Sequence, residues 1–479
     1  MTDLFPLTDT QQAYLVGRGD LYELGNVSTH AYLELEGPLD AGRFAYAWRR
    51  LVDRHPMLRA VVAHEGQRIL PEVPDPPIEI VDLRGRADAD EVLAGLRERL
   101  SHEVRPADRW PLFSVAVCLL GDGVCRVCVG FDGLTVDWAS WHVMYRDLSA
   151  YYENADAALP PVEGTFRDHV LAHDTDPPEE DLAYWRERLA TLPDAPALPL
   201  ARDPATVARP RFTRRETSLD AATWSRLKQH AAAHGVTPTG ALLAAYAEVL
   251  GRWGAGERFT LNVPSMNRDP AVPGAADLVG EFASFTLAEA DLRPATFRER
   301  ARGIQRNLLD GLEHRGLGGV RLLRELTRVR GGEPVRMPVV LTSTLAMTAA
   351  TPHLLERTLT HVYGVTQTPQ VHLDAQVEER RGTLACNWDA VEELFPPGLL
   401  DTMFTAWTGL LTRLADDETA WGRDDLDLLP PGQAARRAAG QGPVRPVPDE
   451  PVHEAFLRRA AERPDAPAVI GPGGTLTYG

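Results

Sequence analysis

Between Pro111 and Asp132 the chain reads PLFSVAVCLLGDGVCRVCVGFD, two apolar runs separated by Gly121-Asp122-Gly123. Short apolar runs joined by turn-forming residues predict an antiparallel hairpin. The period then changes, and in WASWHVMYRDLSAYYENA the residues Trp138, Trp141, Tyr145 and Leu148 fall on one face of a helix. Two carboxylates, Asp132 and Asp137, stand on the turn between strand and helix, a common location for active-site groups. Pro160, Pro161, Pro177 and Pro178 bracket a polar stretch expected to join two lobes, and a second αβ series begins near Tyr184.

In that series Thr237-Pro238 provides an N-cap and a first-turn proline. The helix they open carries the apolar stripe Leu242, Leu243, Tyr246, Val249 and Leu250, punctuated by Gly254 and Gly256. RFTLNVP at 258–264 and MPVVLTST at 337–344 predict later strands. The stretch PPGQAARRAAGQGPVRPVPDEP at 430–451 has the composition of an interdomain linker, and too few residues follow it to build a core. No tandem repeat interrupts this order. The 479 residues are therefore expected to form two mixed αβ lobes and a short tail.

Charge and composition narrow the function. Against 68 acidic residues there are 50 basic ones, a net charge of −18, which argues against a nucleic-acid partner held through phosphates. Lys228 is the only lysine, and no glycine-rich loop precedes it, so neither a Walker A site nor Schiff-base chemistry is expected. Met1–Gly19 lacks the charged and apolar regions of a signal peptide, and there is no apolar run of about 18 residues, so a cytoplasmic chain without membrane contact is expected. Cys118, Cys125, Cys128 and Cys386 are too few for a disulfide framework; the lone C-x-x-C of Cys125 and Cys128 lies in a β-like run and is read as buried strand cysteine.

Several local patterns admit more than one reading. His169 and His173 have the i, i+4 spacing of zinc helices but lack the glutamate of a zincin, so an exposed amphipathic helix is the expectation. No G-x-S-x-G elbow and no dinucleotide glycine motif is present. Asp132 and Asp137 suit either general acid–base work or structural ion pairs, with Arg54 and Arg59 of RHPMLR as candidate partners. Asp374 and Thr342 lie in β-like stretches, where a turn, ion-pair or strand role is the simplest.

Taken together and in order, these residues resemble the heterocyclization domains of nonribosomal peptide synthetases, a branch of the condensation-domain family. FPLTDTQQAYLVGR at Phe5–Arg18 is similar to the opening motif, and RHPMLR at Arg54–Arg59 to the next. Asp132, Asp137 and Ser140 match D-x-x-x-x-D-x-x-S. LPDAPALPL at Leu192–Leu200, VVLTST at Val339–Thr344, QTPQVHLDAQ at Gln367–Gln376 with its Gln367 and Gln370, and WDAVEELFPPG at Trp388–Gly398 follow. The resemblance covers roughly residues 1 to 430.

It implies two chloramphenicol-acetyltransferase-like α/β lobes (α+β in layering), residues 1–176 and 177–429, in a V-shaped pseudo-dimer. A central tunnel would admit the 4'-phosphopantetheine arms of two carrier proteins as substrates, and no metal or diffusible cofactor is implied. Ordinary condensation domains carry His-His-x-x-x-Asp-Gly where this chain has Asp132, Gly133 and Asp137, so the imidazole of amide-forming catalysis is missing, Asp137 is expected to keep an ion-pair role and Asp132 to shape the loop. The implied reaction joins a donor acyl thioester to carrier-bound Cys, Ser or Thr and then cyclizes and dehydrates, with Asp374 as the acid–base group and Thr342 orienting it. Cysteine, the better nucleophile, is the preferred acceptor.

Gly280-Glu281-Phe282-Ala283 replaces the family's Gly-Asp-Phe-Thr or -Ser, and Ala375 stands where His or Asn is frequent. The tail from Val452 to Gly479 resembles the first residues of an adenylation domain, after a linker at 430–451. Met1 directly before the first motif suggests that the donor arrives from a carrier on another polypeptide, while the acceptor carrier lies downstream. The rival readings are an ordinary condensation domain and a catalytically silent platform that docks carriers.

Overall fold

The computed structural model describes residues 4–20, 22–173, 176–269, 272–347, 353–440, 451–471 and 474–479. The chain divides into two compact units, Met1–Leu428 and Leu429–Gly479. The first unit holds two large sheets. One has five strands in the order Thr360–Gln367, His30–Pro38, Val124–Asp132, Phe113–Gly121 and Ile78–Asp82; the other has six, in the order Phe212–Leu219, Thr383–Val391, Leu373–Arg380, Val339–Ser343, Arg258–Met266 and Ala283–Asp291.

The predicted hairpin is the antiparallel pair Phe113–Gly121 and Val124–Asp132, and the helix after it spans Trp138–Glu153. Cys118, Cys125, Cys128 and Cys386 are free, buried thiols on strands. Thr237 caps the helix Pro238–Leu250 by accepting from the Gly240 amide. That helix is buried on all sides and not along a stripe alone, because its remaining positions are mostly alanine and neighbouring elements approach it closely. The strands at 258–264 and 337–344 are present as Arg258–Met266 and Val339–Ser343.

One connection sets up the site. The strand Thr360–Gln367 belongs to the first sheet, where Gln367 is in register with His30, yet the next strand, Leu373–Arg380, belongs to the second. A single ten-residue motif therefore passes from one sheet to the other, turning at Gln370, whose φ of 65° is one of the few positive values at a non-glycine residue.

The second unit is small. Pro431–Gly440, at the start of the linker-like stretch, is a helix, consistent with its run of alanine and arginine and a proline at its first position; 441–450 lie outside the described residues. Beyond it are the helix Val452–Glu462 and the strand pair Pro467–Gly471 and Gly474–Thr477, with Phe456, Ile470 and Leu476 exposed. No helix among the described residues is long and apolar enough to cross a membrane.

Candidate active site

A cavity of about 820 Å³ in the first unit is lined from both sheets and from the helix Asp9–Gly17. Asp374 reaches it because side chains alternate along a strand: Leu373 and Ala375 are buried away from it, while Asp374 and Gln376 lie in the cavity wall. The parallel neighbour Val339–Ser343 places Thr342 against Gln376 in register. Thr342 Oγ1 lies 2.9 Å from Asp374 Oδ1, and Gln376 Nε2 donates to Asp374 Oδ2 at 2.8 Å, so both carboxyl oxygens are held. Ala375 points away into the core, so a histidine or asparagine missing there does not loosen Asp374.

Behind Asp374 the sheet carries a row of charges. Asp374, Asp389 and Arg214 are directly in register across three adjacent strands. Arg214 clamps Asp389 in a two-pronged pair, Nε to Oδ1 at 2.8 Å and a terminal nitrogen to Oδ2 at 2.6 Å, with only 4% and 0% of the side chains exposed. Thr366 donates to the same Asp389 through its amide and its hydroxyl, both at 2.8 Å. Gln376 joins the groups, since its oxygen accepts from Arg214 at 2.9 Å while its nitrogen faces Asp374 and Asp389. Burial raises the Asp374 carboxyl to about 7; the negative charge of Asp389 acts in the same direction, and the hydrogen bonds from Gln376 and Thr342 and the charge of Arg214 oppose it. A carboxyl in that range exchanges protons near neutrality, as a general acid must.

The two aspartates of the strand–helix turn are engaged structurally. Asp137 caps the helix, accepting from the Ser140 amide at 2.6 Å and from Arg268 at 2.9 Å, and Phe282 donates its amide to the other oxygen. Ser140 Oγ ties the same turn to the backbone of Gly280. Asp132 accepts from the Leu134 amide at 3.0 Å and pairs with Arg18 at 2.6 Å. Arg54 and Arg59 are therefore not their partners. Packing of the helix Ala41–Arg54 along Trp138–Glu153 brings Arg54 to Asp147 at 2.7 Å, beside His55, and Arg59 donates to the carbonyls of Val52, Asp53 and Leu70.

Gly133 leaves no space for a side chain, because a Cβ there would lie 2.7 Å from Thr29 Cγ2, while the Gly133 amide already donates to the Thr29 carbonyl. Restoring an imidazole by Gly133→His should overpack this contact by about 1–3 kcal/mol, read as a lower midpoint of chemical unfolding. An unchanged midpoint would show that the loop gives way.

Gln367 is buried, and Gln370 sits in the cavity wall at the turn. The Gln367 Nε2 has no hydrogen-bond partner among the described residues. His169 is not on an exposed helix face: it is 4% exposed, packed on Phe282 and on the ring of His173, because the short helix Phe166–Ala172 lies against the Gly280–Phe282 segment. Among the described residues no group of three potential metal ligands occurs. Sequence reasoning missed Gln376, Asp389 and Arg214. The two-residue strand period from Asp374 signals the first, but only the strand pairing reveals the others.

A family model described as "Condensation domain" matches residues 2–436. The phenyloxazoline synthase MbtB of Mycolicibacterium paratuberculosis is 38% identical over 491 residues, taking in 100% of this chain and 41% of that protein. The pyochelin synthetase PchF of Pseudomonas aeruginosa is 36% identical over 484 residues, 99% of this chain and 26% of that one. The crystal structure of the EpoB cyclization-docking bidomain from Sorangium cellulosum aligns with a TM-score of 0.80 at 39% identity, covering 87% of this chain and 86% of that chain. This chain thus spans less than half the length of these two synthetases.

With that fold, cavity and match, the chain belongs to the condensation-domain family. Within the family it is a heterocyclization domain of a nonribosomal peptide synthetase, in a class of acyltransferases that also cyclodehydrate.

Proposed function

We propose that residues 1–429, as lobes 1–176 and 177–429, join a carrier-bound acyl thioester to carrier-bound Cys, Ser or Thr and convert the amide to a thiazoline or oxazoline. The observation that carries this reading is Asp374, held by Thr342 and Gln376 in the cavity wall with a carboxyl raised to about 7. In ring closure the side-chain sulfur or oxygen bonds to the amide carbonyl carbon, and the carbonyl oxygen takes the Asp374 proton as it becomes a hydroxyl. The carboxylate recovers a proton from the attacking thiol or hydroxyl. It then protonates the ring hydroxyl, which leaves as water, and as the C=N bond forms the nitrogen gives its proton to the Asp374 carboxylate, restoring the acid. Each transfer needs an acid and its conjugate base at one place, and the Thr342 hydroxyl accommodates both because it donates to the carboxylate and accepts from the acid. Tethering both substrates through phosphopantetheine arms supplies proximity.

The donor comes from an upstream carrier and the acceptor from a downstream one, with an adenylation domain continuing from residues 452–479. Cysteine is the favoured acceptor. The test is the intact mass of the acceptor carrier after incubation with the chain and a loaded donor carrier, with Cys, Ser and Thr compared. The expected product is the acylated acceptor less one further water, formed fastest with Cys. Amide without water loss would reassign the chain to ordinary condensation, and loaded carriers that exchange nothing would favour the docking platform.

A further inference from the structure

Glu281 is a second carboxyl in the cavity wall, and the mechanism above does not use it. It is 2% exposed, and its Oε1 accepts one hydrogen bond, from the Ala283 amide at 3.0 Å. Among the described residues it makes no ion pair. The nearby guanidinium, Arg268, is committed to Asp137, to Ser140 Oγ and to the carbonyls of Ala275 and Leu278. Its own segment is fixed to the strand–helix turn, with the Gly280 carbonyl accepting from the Asp137 amide and the Phe282 amide donating to the Asp137 carboxylate.

Glu281 therefore stands beside the strand–helix turn, and it lines the same cavity as Gly133 and Asp137 of that turn. A buried carboxyl that is not directly ion-paired is costly, and the cost falls when a cation or an amine enters beside it. The charged and titratable groups around Glu281 are Asp137, Asp132 and Arg268, with Tyr14 on the opposite helix. Burial and the charge of Asp137 push its proton affinity up, with Arg268 opposing. That suits a group that takes a proton from an ammonium.

We infer that Glu281 is the subsite for the α-amino group of the acceptor aminoacyl thioester and removes the proton that this group must lose before it attacks. The inference rests on the heterocyclization reading, since it assigns the amide-forming half of that reaction. The ammonium gives one proton to the Glu281 carboxylate. The free amine bonds to the donor carbonyl carbon, the carbon–sulfur bond breaks, and the departing thiolate takes the second amine proton. Glu281 returns its proton to solvent before the next turnover.

The experiment follows single-turnover amide formation and water loss by intact mass, between pH 6 and 9, for wild type and for Glu281→Gln and Glu281→Asp, with cysteine on the acceptor carrier. Glu281→Gln should slow amide formation at pH 7 by about tenfold, since an α-amine titrating at about 8 is only about a tenth free there, and the gap should close as pH rises past that value, because free amine needs no base. Glu281→Asp should keep part of the rate. A carrier that already bears the uncyclized amide has no ammonium, so its closure should proceed at the wild-type rate in both variants. A loss of the same size at every pH, or an equal loss of closure from the preformed amide, would overturn the assignment. Wild-type amide without closure would overturn heterocyclization itself, and the same traces would still report on Glu281.

Discussion

Asp374→Asn is expected to accumulate the uncyclized amide on the acceptor carrier. The variant keeps the shape and the hydrogen bond to Thr342, but an amide neither gives up nor recovers a proton. Closure and loss of water should fall by about 10²–10⁴-fold, the usual value of a positioned acid–base group, while amide formation stays within about tenfold of wild type. The wild-type rate of water loss should also decline as pH rises through about 7, where the raised Asp374 carboxyl gives up its proton. The sign follows from the role, since the acid form is needed and is present below that value. Equal losses in both steps would mean that Asp374 supports the wall of the cavity and not the chemistry.

Asp389→Ala should have the largest effect on stability. It leaves Arg214 with 4% of its side chain exposed and no carboxylate, and it removes an acceptor from the Thr366 amide. Breaking a buried pair from one side costs about 3–5 kcal/mol, read as a lower chemical-unfolding midpoint. The double variant Arg214→Met, Asp389→Leu should recover much of that loss, since apolar replacement of a buried pair is often neutral or better. Closure should stay slow in the double variant, because Gln376 loses the contacts that aim it at Asp374. A single variant as stable as wild type would show that the pair is dispensable, and rapid closure in the double variant would separate it from the site.

The elements that local chemistry specifies were legible in the sequence. The hairpin at 113–132 follows from two β runs and a glycine turn, and the helix Pro238–Leu250 from Thr237 and Pro238. Thr342 and Asp374 were singled out by resemblance, and parallel pairing brings them together. Long-range partners were not legible. Asp132 pairs with Arg18 and Asp137 with Arg268, 114 and 131 residues away, whereas the arginines of the RHPMLR motif are drawn elsewhere by helix packing. Nor does any local signal show that Thr360–Gln367 leaves its sequence neighbours to join the first sheet. The His169 ring illustrates the same limit, because helical spacing describes a face and the Phe282 that covers it lies far along the chain.

The most direct test of the central claim, that Asp374 drives cyclodehydration as a protonated acid, is the pH dependence of water loss from a carrier already bearing the cysteinyl amide. Wild type should show a rate that falls with rising pH through about 7, and Asp374→Asn a residual rate without that limb. The same descending limb in both proteins, or a wild-type rate indifferent to pH across that range, would contradict it.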